Sequence, residues 1–374
     1  MQNFLKSTLN INNIIRNCSN GVDIKSVGLK KVITLNRPKV LNALNLDMVR
    51  EIYPQMKEWN TKSPCSLILI KGGGDKAFCA GGDVISVTTS AKSGGEIHKL
   101  FFKEEYQLNN LIGKCKMPFV ALINGITMGG GCGLSINGKF RVSSEKTVLS
   151  MPETALGLFP DVGGSYFLTR LPHNLGMYLA LTGYRLKGMD VFFSGMATHH
   201  IESKNLETVE NELLNLKDDE CNDSTVDKLL KKFMPKEASV EENFTLAPVI
   251  KKIESIFGAD TYNGIIKNLE NDNSDWSKSQ LEILSKMSPT SLRITFEQLK
   301  RGKKMEHSEV FPMEYRLSQR CMLDHDFHEG CRAILIDKDR NPKWKPSNVN
   351  EVSDETVERY FSPLPEKDEL KMEF

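Results

Sequence analysis

From about residue 30 to residue 200 the chain repeats one pattern: a short apolar run, a glycine-rich turn, then apolar residues at helical spacing. Lys31–Leu35 (KVITL) is β-branched and ends at Asn36-Arg37-Pro38, which predicts a strand leaving into a turn. Between Leu44 and Trp59 the apolar positions recur with helical period, and Asn45 or Asp47 stands near the start as a cap. Ser66–Lys71 (SLILIK) lacks the alternation of a half-exposed strand, so it predicts a strand buried on both faces, running into Gly72-Gly73-Gly74. A longer helix is expected across Gly95–Cys115 and a strand over Phe119–Asn124, with a glycine-rich turn behind it. A helix then starts near Gly131, and strands return over Lys139–Ser143 and Thr147–Ser150. Strands alternating with helices predict an α/β architecture with largely parallel sheets.

The pattern changes after His200. Residues 201–280 are polar and charged, with helical runs such as Leu206–Leu216 and Thr225–Phe233 and no glycine-rich turn. Helices are expected at Met287–Leu299 and Pro312–Leu323, and the tail from Asn341, with four prolines and loose charge, reads as irregular. The expected organisation is an α/β core over 21–200, a mainly helical region over 201–346 and an irregular tail over 347–374. Residues 1–20 stand apart. They hold Lys6 and Arg16, no acid, and apolar residues interleaved with Asn and Ser, the composition of a short mitochondrial presequence and of an address in the matrix. An ordinary frayed terminus fits them too.

Composition narrows the function. Lys and Arg total 49 against 48 Asp and Glu, a formal net charge of +1, which gives no electrostatic footprint for nucleic acid or an acidic membrane surface. The longest apolar runs are far too short to span a bilayer. Eight scattered cysteines form no CxxC pair, so neither a zinc ribbon nor a disulfide framework is indicated. His325 and His328-Glu329 lack HExxH spacing, and neither they nor the pair His199-His200 read as metal ligands.

Candidate chemistry centres on Met151–Gly164 (MPETALGLFPDVGG). Its prolines and glycines rule out one continuous helix, so Glu153 and Asp161 are presented on turns. In an apolar cleft such carboxyls have raised pKa values and trade protons near neutrality. Taken alone, the segment reads more simply as two acids capping helices or anchoring turns. Two upstream loops change this: Phe78-Cys79-Ala80-Gly81-Gly82-Asp83 and Met128-Gly129-Gly130-Gly131-Cys132-Gly133 each follow an expected strand and precede a helical stretch. Small residues there let backbone N–H groups approach an anion or a developing oxyanion. Either loop alone is explained by a tight turn. Neither supplies GxxxxGK[ST] nor GxGxxG, so a nucleotide or nicotinamide has no obvious seat.

Together, AFCAGGD at 77–83, NGITMGGGCGLS at 124–135 and MPETALGLFPDVGGSYFLTRL at 151–171 resemble the crotonase (enoyl-CoA hydratase/isomerase) superfamily. ITLNRPKVLNAL at 33–44 and LALTGYRL at 179–186 fit the same order. The resemblance implies a spiral of ββα turns, a small-molecule acyl-CoA thioester as substrate, no separate cofactor, and an oxyanion hole made by the amides of Gly82 and Gly130. It leaves the homo-oligomeric state open. Hydratases carry a glutamate two residues after the GGG run, where this chain has Gly133, and a glycine eight residues after the second glutamate, where it has Asp161. FFKEEYQLNN at 101–110, SPTSLRITFEQL at 288–299 and the stretch 314–346 extend the resemblance into a thioester-hydrolase branch acting on short 3-hydroxyacyl-CoA esters of valine breakdown. By that resemblance Glu153 is base or nucleophile and Asp161 orients the substrate hydroxyl or shares a proton. Glu105 lines the acyl pocket, although Lys103-Glu104-Glu105 also reads as a solvated charge run. A hydratase or isomerase is the competing reading.

Overall fold

The computed structural model describes residues 14–17, 20–236 and 243–374. Most of the presequence-like segment therefore lies outside the described residues. Among the described residues eleven strands make two sheets. The larger runs β1 (Ile14–Asn17), β2 (Val22–Val27), β3 (Lys30–Leu35), β4 (Leu67–Gly72), β6 (Phe119–Ile123), β8 (Phe140–Ser143) and β11 (His199–His200). The smaller runs β10 (Leu186–Lys187), β9 (Val148–Ser150), β7 (Ile126–Met128) and β5 (Ala77–Cys79). The first three strands pair antiparallel, and from β3 to β11 the large sheet is parallel, as expected.

Three times the chain lays one strand in the large sheet and the next in the small one: β4 then β5, β6 then β7, β8 then β9. That is the spiral, and it accounts for the glycine turns. At Gly72, a β-carbon would sit 2.4 Å from the Ala77 carbonyl, and at Gly125, where φ is +88°, one would sit 2.5 Å from the Lys76 carbonyl. Only glycine lets the chain step between sheets so closely.

β4 is buried on both faces for the reason its sequence suggests. Ile68 and Ile70 join the main core with α1 (Leu46–Thr61) residues Met48, Ile52 and Met56. Leu67 and Leu69 face a second core, closed by Val209, Leu213, Val226 and Leu230. The second core belongs to two of the C-terminal helices, so the helical region is packed onto the sheet. α1 is capped by Asn45, whose side chain accepts from Met48 N at 2.9 Å.

The remaining helices are α2 (Val84–Lys92), α3 (Ile97–Gly113), α4 (Gly130–Ile136), α5 (Gly164–Phe167), α6 (Leu175–Thr182) and α7 (Asp190–Phe193). After the last strand come α8 (Leu206–Asn215), α9 (Asp223–Lys232), α10 (Ile250–Ile256), α11 (Tyr262–Asp272) and α12 (Asp275–Ser285). α13 (Pro289–Gly302), α14 (His307–Leu323), α15 (His325–Cys331) and α16 (Asp354–Phe361) complete the set. α14 begins five residues before Pro312, because a reciprocal Glu306–Glu309 capping box sets its start. The tail is not wholly irregular. Ser353 caps α16, whose Val357, Tyr360 and Phe361 are buried, and the last residues run back over α3, where Gln107 and Asn110 donate to the carbonyls of Lys371 and Phe374.

Candidate active site

β5, β7 and β9 are parallel neighbours in the small sheet, so the loops leaving their C-terminal ends lie side by side. Those loops carry Gly82, Gly130 and Glu153 respectively. Their convergence follows from topology, as crevices beyond the carboxyl ends of parallel strands generally do. Gly82 N lies 3.2 Å from the position a β-carbon on Gly130 would take. Among the described residues, neither the Gly82 nor the Gly130 N–H is taken by a backbone carbonyl. Both remain available to an oxyanion in the same small space.

The two amides open into a cavity of about 720 Å³. Glu105 enters it from α3, Glu153 from the first residue of a 3-10 turn (Glu153–Leu156), and Asp161 from the loop before α5. Phe101, Phe102, Leu156, Leu158 and Val162 give it apolar walls. All five residues named from the sequence (Gly82, Glu105, Gly130, Glu153, Asp161) therefore line one cavity. The solvated-face reading of Glu105 does not hold, since the residue is 2 % exposed. The glycine run has a steric reason. A β-carbon on Gly129 would stand 2.9 Å from Glu153 Oε1, and one on Gly130 would stand 2.7 Å from Glu105 Oε1.

Three buried carboxyls lining one cavity cannot all hold charge. Burial first, then the neighbouring Asp161 carboxyl, pushes Glu153 well above the usual carboxylate range. Burial, Asp161 and Glu153 do the same to Glu105. Asp161 is raised by burial to about 7, held back by the Tyr106 hydroxyl, which donates to its Oδ2 at 2.8 Å. Glu105 Oε1 and Glu153 Oε2 are buried with no hydrogen-bond partner among the described residues. The three groups form one coupled acid system with protons to give and take near neutrality.

Gly133 faces Val162. A β-carbon there would lie 2.6 Å from Val162 Cβ and 2.9 Å from Asn109 Nδ2, so the position where hydratases carry a glutamate has no room for a side chain. Tyr106 and Val162 were not singled out from the sequence, and neither were Arg185, Arg340, Ile334 and Leu335, which also line the cavity. Tyr106 stands next to Glu105 and four residues after Phe102 on the buried face of α3, and that spacing was its available signal. Arg340 gave none, because its position depends on how the C-terminal region folds back.

The histidine clusters are structural. His199 Nε2 lies 3.2 Å from Asp227 Oδ1, His200 Nδ1 pairs with Ser143 Oγ at 3.0 Å, and His328 Nε2 donates to the Met322 carbonyl. Among the described residues no group of three or more His, Cys, Asp or Glu could hold a metal ion, and no helix is long and apolar enough to cross a membrane.

A spiral of ββα turns with paired amides and buried carboxyls at one end of the small sheet defines an acyl-CoA enzyme of the crotonase type. The family model for enoyl-CoA hydratase/isomerase matches residues 30–361, and the chain belongs to that family. Among curated proteins it is 52% identical over 345 residues to "3-hydroxyisobutyryl-CoA hydrolase, mitochondrial" of Danio rerio, covering 92% of this chain and 90% of that protein. The Homo sapiens protein of the same name is 51% identical over 345 residues, covering 92% and 89%. Among solved structures, a carnitinyl-CoA dehydratase from Mycobacterium thermoresistibile superposes with a TM-score of 0.85 at 32% identity, covering 94% of this chain and 99% of that one. An enoyl-CoA hydratase from Rhodobacter sphaeroides 2.4.1 gives 0.84 at 33%, covering 94% and 100%.

Proposed function

We propose that this chain is a mitochondrial thioesterase that cleaves 3-hydroxyisobutyryl-CoA, and also 3-hydroxypropionyl-CoA, to the free hydroxy acid and CoA in valine catabolism. The observation that carries the reading is the exchange of acids in the cavity. Asp161 stands beside Glu153, while the hydratase glutamate that follows the GGG run is replaced by Gly133, packed against Val162. Hydrolysis needs an oxyanion site, a water or nucleophile, and a grip on the acyl group. The Gly82 and Gly130 amides take the thioester oxygen as charge develops on it, each contributing about 3 kcal/mol. Glu153 activates water or attacks the carbonyl itself, and Asp161 orients the substrate hydroxyl and shares a proton with Glu153. Glu105 completes the acyl pocket. No cofactor enters the reaction, since CoA is part of the substrate. The matrix is the compartment proposed, in keeping with relatives named mitochondrial.

Release of free thiol tests the reading, because hydration and isomerisation produce none. A panel of 3-hydroxyacyl-CoA esters should give thiol fastest with the 3-hydroxyisobutyryl ester. Glu153→Gln should lower kcat by about 10³-fold or more with the ester still bound. Turnover near the parent's in that variant would sink the assignment. Water addition to an enoyl-CoA without thiol release would favour the hydratase reading suggested by the names of the two solved structures.

A further inference from the structure

Asp161 sits in a loop whose backbone is strained at the next residue. Val162 has φ +53°, a left-handed conformation that costs a β-branched residue, and it is 1% exposed. Something must hold it there. Gln298 on α13 donates to the Pro160 carbonyl at 2.6 Å and to Ser165 Oγ at 2.8 Å. Asn137 donates to the Val162 carbonyl at 3.0 Å. On the other side of the strain, Glu314 of α14 accepts from Gly163 N at 2.8 Å, from Ser165 N at 2.9 Å and from Ser165 Oγ at 2.6 Å. Glu314 is fully buried, and no basic group pairs with it among the described residues.

We propose that Glu314 is a positioning residue for the hydrolysis: its carboxyl clamps the loop Pro160–Ser165 and so fixes Asp161 in the cavity beside Glu153. The role rests on the reading of Asp161 given above. Three donated hydrogen bonds converge on one carboxyl, so the loop is held at Gly163 and Ser165 at once. They also engage the amides of Gly163 and Ser165, while Asp161 keeps the Tyr106 hydroxyl and its own amide as donors. Burial and the nearby Asp161 raise Glu314 itself, to about 8, against the pull of its donors. The groups facing Asp161 are Glu105 and Tyr106 from α3, Glu153 from its turn, Cys132 from α4, and Glu314 and Cys321 from α14. Glu314 thus acts on Asp161 from outside the cavity lining, so its replacement loosens the loop without emptying the cavity.

The experiment is Glu314→Gln in the full chain, assayed over pH on whichever acyl-CoA ester the parent turns over. Failure of the substrate assignment therefore leaves the ratio of variant to parent readable. The expected result in folded protein is a kcat lower by about tenfold or more, with KM within about threefold. The acid limb of the pH profile should stay in place, because Glu314, raised to about 8, is protonated across that range and its replacement removes no charge there. A kcat within about twofold of the parent, or a KM that rises as far as kcat falls, would overturn the proposal. Should Glu314→Gln not fold, Gln298→Leu carries the test. It releases Pro160 and Ser165 without changing charge, so a comparable fall in kcat with an unmoved acid limb supports the clamp. Undiminished kcat in that variant overturns it.

Discussion

The Tyr106 hydroxyl shows how one side chain tunes the acid system. It donates to Asp161 Oδ2 at 2.8 Å and favours the ionised carboxylate, opposing the rise that burial imposes. Tyr106→Phe removes that donor, so the Asp161 carboxyl rises further. Hydrogen bonds to charged groups are worth about 1.5–3 kcal/mol, which corresponds to an upward move of about one pH unit or more in the acid limb of kcat/KM. The pH–rate profile checks this, and an unmoved limb would remove Tyr106 from the mechanism. At this scale the sequence was generous. Glu153, Asp161 and the glycine loops were legible because together, in that order, they resemble a known family, although each alone reads as a cap or a tight turn. Val162 was not, because a positive φ leaves no mark when the residue is valine.

Elements explain why the C-terminal half matters to catalysis. α15 is pressed against the turn that presents Glu153. A β-carbon on Gly330 would lie 2.2 Å from the Leu156 carbonyl, and one on Gly157, where φ is +75°, would lie 2.3 Å from the Asp326 carbonyl. Two glycines far apart in the chain let the backbones touch. Gly330→Ala forces them apart and should cost about 2 kcal/mol in urea unfolding, with a fall in kcat larger than any change in KM, since the displaced turn carries the acid. Equal stability in that variant would show that the seam is soft. The strands β3, β4, β6, β8 and β9 and the helices α1, α3, α8, α9 and α13 were legible from periodicity, whereas β1, β2, β5, β7, β10 and β11 were not. The start of α14 and the existence of α16 were missed because capping residues decide them, while the prolines that drew attention do not. The packing of α15 on Glu153's turn could not be read at all, since it joins residues about 170 apart.

At the scale of the whole molecule, the acid cluster sets a cost on folding. Asp161 rises from 3.8 to about 7 in the folded state, so the folded protein keeps a proton that the unfolded chain gives up. Stability from this group is fully present below about pH 4 and is lost as pH rises through about 7, to a limit of about 4 kcal/mol. Asp161→Asn should therefore melt higher than the parent at pH 8 and level with it at pH 4, as thermal scans at the two pH values would reveal. A gap that is the same at both would contradict the linkage. The contact between Gly133 and Val162 bears on descent as well as on chemistry. With 2.6 Å between a new β-carbon at 133 and Val162 Cβ, restoring the hydratase glutamate by one substitution meets a steric wall, and clearing Val162 first loosens the loop that holds Asp161. Any route between the two acid sets therefore needs coupled changes at 133 and 162 rather than a single substitution.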